Sequence, residues 1–297
     1  MKASNPHKAK LPYYYPFNFG EGQITVLSDG PLELGDPSEN FLGVEPETVA
    51  EMLDRNFLPQ SNVVLEQNVP LVEINGRTIL FDTGMGASKA FGPTTGRLLT
   101  SLREAGRNPE EVDAVVLSHA HIDHIGGLCD AAGELNFPNA QIYISERDFN
   151  DWTDGSTLGP GFDFQIENAR RNLLPHKDRM YFFRDGEEFL PGVQALYAPG
   201  HTLGHHCFLI QSGGARLCFL GDLTHHHVLL MERPWMEFKY DTDPKLSARS
   251  RTRVLDMLAT DRVEVMSYHF AWPGTGHVVR EGDGFRYIPS PMQMLAN

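Results

Sequence analysis

Cysteine is scarce, with three in 297 residues, at Cys129, Cys207 and Cys218. An odd, scattered set builds no disulfide framework, and the lack of a CxxC pair argues against a thiolate metal site. Cys207 and Cys218 stand in apolar runs and read as core residues. Long apolar stretches are missing too; nothing approaches the roughly 20 residues of a membrane span. Residues 1–10 are polar and lack the apolar centre of a secretory leader. The chain is therefore expected in the cytoplasm, or in the periplasm or outside the cell if a leader has been removed. Positive charge is in short supply. The formal net charge is −14, and nucleic-acid phosphates need a basic surface, so nucleic acid is excluded as the main partner. The acidity reads as a solubility feature. There is no internal repeat, no low-complexity tract and no GxSxG nucleophile elbow.

Histidine is what the chain has in quantity. There are 13, and most fall at 119–124, 201–206, 225–227 and 269–277. The apolar content, 41%, allows a sizeable core. Residues 1–19, rich in Pro, Tyr and Lys, read as an extended arm.

Periodicity places short elements along the rest. Residues 23–27 read as a strand ending at Ser28-Asp29-Gly30. Residues 63–81 read as paired strands, with Asn75-Gly76 as the hairpin turn. Residues 94–105 put Leu98, Leu99, Leu102 and Ala105 on one helical face, with Gly106 as the stop. Asn108-Pro109 reads as a cap and first-turn proline. Strands are expected at 114–117, 141–144, 193–197, 207–210, 217–220 and 263–268. Helices are expected from Ser145 toward Trp152, over 164–174, and from Asp243-Pro244 to about Ala259. The apolar strands ending at Leu117, Tyr197, Leu220 and Tyr268 each run into a His or Asp cluster. Loops at strand ends are where rigid scaffolds build sites, so four strand ends are expected to converge on one.

The central motif is Ser118-His119-Ala120-His121-Ile122-Asp123-His124, followed by Gly126-Gly127. His119 and His121 are two apart, so in an extended segment both rings point the same way. Asp123 and His124 follow in a turn and can face a second ion. Imidazole nitrogen and carboxylate oxygen are the usual ligands of zinc and similar divalent ions.

With these residues the chain resembles the metallo-β-lactamase superfamily, whose HxHxDH motif His119, His121, Asp123 and His124 match. Asp82 in Phe81-Asp82-Thr83-Gly84 matches the upstream Asp-Thr-Gly turn, His201 in Pro199-Gly200-His201-Thr202 the third histidine, Asp222 in Gly221-Asp222 the bridging carboxylate, and His269 the final histidine. The resemblance implies an α/β fold, a four-layer αββα sandwich, as a single domain over residues 20–297. It implies two divalent metal ions. His119, His121 and His201 would hold one, and Asp123, His124 and His269 the other, with Asp222 bridging. Zinc fits this N/O set best, while iron, manganese or cobalt fit it too. The segment from Tyr268 to His277 resembles the tail of the methyl parathion hydrolase branch. N-acyl homoserine lactonases of this fold carry a tyrosine three residues after the bridging aspartate, where this chain has His225.

The function expected is hydrolysis of a lactone or ester in a small-molecule substrate. Hydroxide held by the ions would attack the carbonyl, and Asp123 or His225 would hand a proton to the leaving alkoxide. Catalytic roles thus fall to Asp123, Asp222 and His225. Alternatives are phosphotriester (organophosphate) hydrolysis at the same site and a non-hydrolytic di-iron oxidoreductase, although no flavin or thiolate segment is visible. A homodimer is compatible with this reading, and no membrane partner is expected. His205 and His206 read as supports for ligands or as structural groups. His225 reads as a substrate contact or a packing group, and His7 and His176 as surface residues. His277 competes with His269, which is preferred because it ends a strand. Phe149, Trp152, Trp235, Phe270 and Trp272 are candidates for an apolar pocket, with core packing the stronger reading of each.

Overall fold

The computed structural model describes residues 12–88 and 90–292; His7 lies outside them. Alternating apolar residues create two sheets of seven strands each. The first runs in the order Tyr14–Phe19, Gly22–Ser28, Asn68–Ile74, Arg77–Phe81, Ala114–Val116, Gln141–Ser145 and Met180–Phe183. The second runs Glu188–Leu190, Val193–Tyr197, His206–Ser212, Ala215–Phe219, Glu264–Met266, Thr275–Glu281 and Gly284–Pro289. Tyr14–Phe19, the described end of the expected arm, is extended and pairs antiparallel with Gly22–Ser28 as an edge strand.

Side chains on a strand alternate between faces, and the second sheet shows the result. Phe208, Ile210, Leu217, Phe219 and Met266 join the core shared with the first sheet. Cys207, Cys218 and Val265 point the other way, into a cluster with Val254, Leu255 and Leu258 of the helix Pro244–Asp261. Phe81 of the first sheet meets Phe208 and Phe219 of the second, with ring centroids 5.6 Å apart in both cases. The helices Leu98–Glu104 and Glu146–Asp154 pack on the first sheet. This is the αββα sandwich.

Several elements end where local chemistry ends them. Asn75 and Gly76 both have positive φ, 51° and 72°, as the two-residue hairpin requires. The helix expected over 94–105 forms only over Leu98–Glu104, because Asp29 takes the N–H groups of Gly96 and Leu98. Asn108 caps a 3₁₀ turn, Pro109–Glu111, rather than a longer helix. The helix expected over 164–174 runs Asp163–Leu173, then tightens into the 3₁₀ segment Leu174–Arg179. That segment corrects the reading of His176 as a surface residue. The ring is buried, with Arg179 Nη2 at 3.0 Å and the Cys129 thiol at 3.7 Å. No helix among the described residues is long and apolar enough to cross a membrane.

The topology prepares one edge of the sandwich. Arg77–Phe81, Ala114–Val116, Gln141–Ser145 and Met180–Phe183 are mutually parallel, and Ala215–Phe219 is parallel to Glu264–Met266. Parallel neighbours deliver their carboxyl ends to one side, where α/β sheets place their sites. Two further ribbons roof that edge: Phe41–Leu42 with Glu237–Phe238, and Leu32–Gly35 with Val63–Leu65.

The helix Pro244–Asp261 is tied to this edge by Arg251, which is fully buried. Its guanidinium donates to the carbonyls of Leu223, Pro234 and Met236 and to Ser247 Oγ, and lies 3.6 Å from Asp241. Removing one partner of a buried charge pair typically costs about 3–5 kcal/mol. Arg251→Met should lower the unfolding free energy by about that much in urea melts. A loss below about 1 kcal/mol, the scale of one ordinary hydrogen bond, would mean that the guanidinium does not knit these loops together.

Candidate metal centre

The first strand ends prepare the histidine motif. Asp82 follows the Arg77–Phe81 strand with φ at 61°, in the left-handed region. There its carboxylate accepts the Ser118 N–H, the Ser118 hydroxyl and His124 Nδ1–H, each at 2.8 Å. Ser118 Oγ in turn lies 3.0 Å from His119 Nδ1. The turn Ile122–Ile125 carries Asp123 and His124, and Tyr268 Oη donates to the Asp123 carbonyl at 2.6 Å. Gly126 and Gly127 seat this turn: a Cβ would come within 2.4 Å of Met85 O at the first and 2.0 Å of Thr83 O at the second.

The later strand ends add the remaining groups. His201 gives Nδ1–H to Asp241 at 2.9 Å, and His269 gives Nδ1–H to the Glu66 carbonyl at 2.8 Å. An acceptor on Nδ1 fixes the tautomer and leaves Nε2 with its lone pair. His119, His124, His201 and His269 all carry such an acceptor.

Two groups of donors share no member, His119, His121 and His201 in one and Asp123, His124, Asp222 and His269 in the other. A third, His201, Asp222 and His225, overlaps both, and the donor atoms of each group lie within 4.8 Å of one another. Asp222 stands between the first two. Its Oδ2 is 3.1 Å from His201 Nε2 and 3.3 Å from His269 Nε2, and its Oδ1 is 3.2 Å from His124 Nε2. His119 Nε2, His124 Nε2 and Asp222 Oδ1 are buried without a hydrogen-bond partner among the described residues. Buried polar atoms are rarely left so, and these three point into the donor cluster. Imidazoles and carboxylates in this arrangement fit two divalent cations.

Electrostatics divides the rings: against the opposing effect of burial, Asp222 and the neighbouring carboxylates hold His124 well above the usual histidine range and push His201 and His269 up to about 9, so a cation would displace protons from these three. Burial and the neighbouring rings hold His119 and His121 well below the usual histidine range, as lone-pair donors. Burial opposes ionisation of Asp222, but His124, His269 and His225 outweigh it and hold the carboxyl well below its ordinary value. His205 is pulled down to about 3, chiefly by burial.

The seven residues expected as ligands are thus brought together, and His225 with them. His225 Nε2 is 3.0 Å from Asp222 Oδ2, and its ring lies on Phe238 with centroids 3.8 Å apart. His205 stands behind the cluster, accepting the Asp222 N–H at 3.0 Å, and His206 bonds the Gly204 carbonyl. His277 is exposed, pairs across the sheet with Glu264 and does not join. A cavity of about 480 Å³ opens onto the donors, walled by Leu32, Leu34, Leu65, Phe91, Phe162, Phe164, Phe238 and Tyr240. The five aromatic residues considered as pocket candidates are not among its walls. Phe149, Trp152 and Phe270 are core, Trp272 packs against the core, and Trp235 is exposed.

Sequence reasoning missed two buried carboxylates. Asp241 orients His201. Asp148 accepts from the Ala120 and Gly204 N–H groups and from the Thr202 hydroxyl. Nothing local marked Asp148 out: it stands in the first turn of the helix Glu146–Asp154, where acids are favoured.

Comparison with known proteins agrees with this geometry. Residues 63–269, well over half of the chain, match the family described as the metallo-beta-lactamase superfamily. An N-acyl homoserine lactonase of Bacillus cereus is 29% identical over 168 residues, 50% of this chain and 60% of the relative, so the match spans less than two thirds of that protein. The solved structure of AidC, a dizinc quorum-quenching lactonase in complex with a product, superposes with a TM-score of 0.88 at 29% identity, covering 95% of this chain and 98% of AidC. The hydrolase AbOPH superposes with a TM-score of 0.89 at 28% identity, covering 96% of this chain and all of that one, at 100%. The chain belongs to the metallo-beta-lactamase superfamily and is a metal-dependent hydrolase.

Proposed function

We propose that this hydrolase opens a lactone ring bearing an N-acyl chain, with zinc as its metal. The observation that carries the reading is the apolar cavity of about 480 Å³ with the donor cluster at its floor. Apolar walls hold an alkyl chain and exclude water, while a few polar groups orient the reacting end. The likeness to an N-acyl homoserine lactonase and to a dizinc lactonase supports the substrate class.

In this reading His119, His121 and His201 hold one ion, Asp123, His124 and His269 the other, and Asp222 lies between them. Such a pair supplies a water ionised near neutral pH and a Lewis acid for the carbonyl. The chain's own residues do the rest. His205 and Asp241 fix Asp222 and His201 by hydrogen bonds. Ring opening leaves an alkoxide that must gain a proton, and His225 and Asp123 both line the cavity. Asp123, kept ionised against burial by His124 and His269, would relay a proton released by the attacking water rather than supply one of its own. Gln165 also lines the cavity. Its Oε1 accepts the Ile122 N–H at 3.2 Å, and its amide NH₂ has no partner among the described residues. That group is a donor for the carbonyl of an acyl amide. The span expected as one domain, residues 20–297, then acts around this edge together with the edge strand Tyr14–Phe19.

The substrate is tested by comparing kcat/KM for an N-acyl homoserine lactone with that for a nitrophenyl phosphotriester. The lactone should be preferred, and chelation should remove activity until zinc is restored. Cleavage of the triester alone would overturn the reading.

Metal analysis on purified variants tests the ligands. His269→Ala should lose an ion, and His277→Ala should keep both. Asp222→Ala should disturb both ions, and His225→Ala neither. The reverse pattern would show the shell to be wrongly assigned.

Gln165→Leu should raise KM for the N-acyl lactone about fivefold, the effect of one neutral hydrogen bond. KM for an alkyl γ-lactone without an amide should stay the same. A rise for both substrates would make Gln165 a general wall residue instead.

A further inference from the structure

Asp148 sits in the first turn of the helix Glu146–Asp154 and is fully buried. Its carboxylate reaches two loops far apart in sequence. Oδ2 accepts the Ala120 N–H at 2.8 Å and the Thr202 hydroxyl at 3.0 Å. Oδ1 accepts the Gly204 N–H at 2.9 Å. Ala120 is the residue between His119 and His121, and Thr202 directly follows His201. One carboxylate from a third strand end therefore sets the spacing of the loops bearing the three histidines of the first group. The approach is close: a Cβ on Gly204 would lie 2.5 Å from Asp148 N and 2.6 Å from its Oδ1.

The second group is held by other contacts. Asp82 takes His124 Nδ1–H, the Glu66 carbonyl takes His269 Nδ1–H, and Tyr268 Oη holds the Asp123 carbonyl. None of these bonds involves Asp148. Ser118, which touches His119, is anchored by Asp82 as well, so Asp82 serves both groups. The bonds of Asp148 run only to the first.

We infer that Asp148 is a positioning residue for the first ion alone, so that the two ions of the pair can be weakened separately. This rests on the ligand reading above. Asp148→Asn keeps the shape but has one accepting oxygen for donors on two sides, so one side is left facing an NH₂. Loss of an outer partner of metal ligands typically lowers metal affinity about ten- to a hundredfold. Chelator competition on the zinc-loaded protein should show that loss for one ion and no change for the other. Cobalt substitution identifies the ion: the spectrum of partly stripped Asp148→Asn should match that of His121→Ala, not that of His269→Ala. Thr202→Val, which removes one donor and keeps the carboxylate, should give a smaller shift in the same direction and serves if Asp148→Asn does not fold. Equal weakening of both ions, a spectrum matching His269→Ala, or unchanged affinities in both variants would overturn the inference. Failure of the unaltered protein to bind two ions would instead overturn the ligand reading itself.

Discussion

The Asp222 carboxylate is the group around which the rest is arranged. It is buried, and its oxygens lie within 3.3 Å of nitrogens of His124, His201, His225 and His269. A carboxylate out of water is tolerated only with compensating charge or hydrogen bonds. Here the compensation comes from strand ends of both sheets, so the sandwich must close correctly before the charge is balanced. Three donor atoms still lack a protein partner, and each such buried atom costs roughly 1–3 kcal/mol. Cations bound there would satisfy them. Metal affinity and folding stability are then linked, because ions that bind the folded chain shift the folding equilibrium toward it.

Precision comes from the layer outside the donors. Four histidines have Nδ1 fixed by an acceptor, and those acceptors belong to Asp82, Asp241, Ser118 and the Glu66 backbone. Asp82 adopts a left-handed backbone that few side chains favour. That conformation lets a single carboxylate reach both the Ser118 backbone and the His124 ring. Arg251 anchors the opposite loops to the helix Pro244–Asp261 by three hydrogen bonds and leans on Asp241. Donor geometry therefore depends on the sandwich as a whole.

The convergence of these side chains was legible in the chain because histidines and aspartates at such spacing are chemically rare. His119, His121, Asp123 and His124 announce themselves within six residues, and the strand-end pattern located His201, Asp222 and His269. It also separated His269 from His277, since Pro273-Gly274 turns the chain into the next strand. The supports were not legible. Asp148 in a helix's first turn looks like any acid favoured there by the helix dipole, and Arg251 looks like a surface charge until its burial is known. His176 read as exposed because nothing local shows that the 3₁₀ segment tucks its ring beside Cys129. The cavity walls were invisible for another reason. Half of them come from short strands such as Leu32–Gly35 and Glu237–Phe238, too short for any periodicity to register.

Those ribbons separate two kinds of change. Half of the apolar wall, Leu32, Leu34, Leu65 and Phe238, stands on two- to four-residue strands lying across the sandwich edge. The donors stand on loops gripped by the two large sheets. A substitution at Leu32 or Leu34 reshapes the cavity, whereas one at Phe238 also removes the ring on which His225 lies. Substrate range in this protein can drift by small steps while the ion-holding chemistry beneath stays constant.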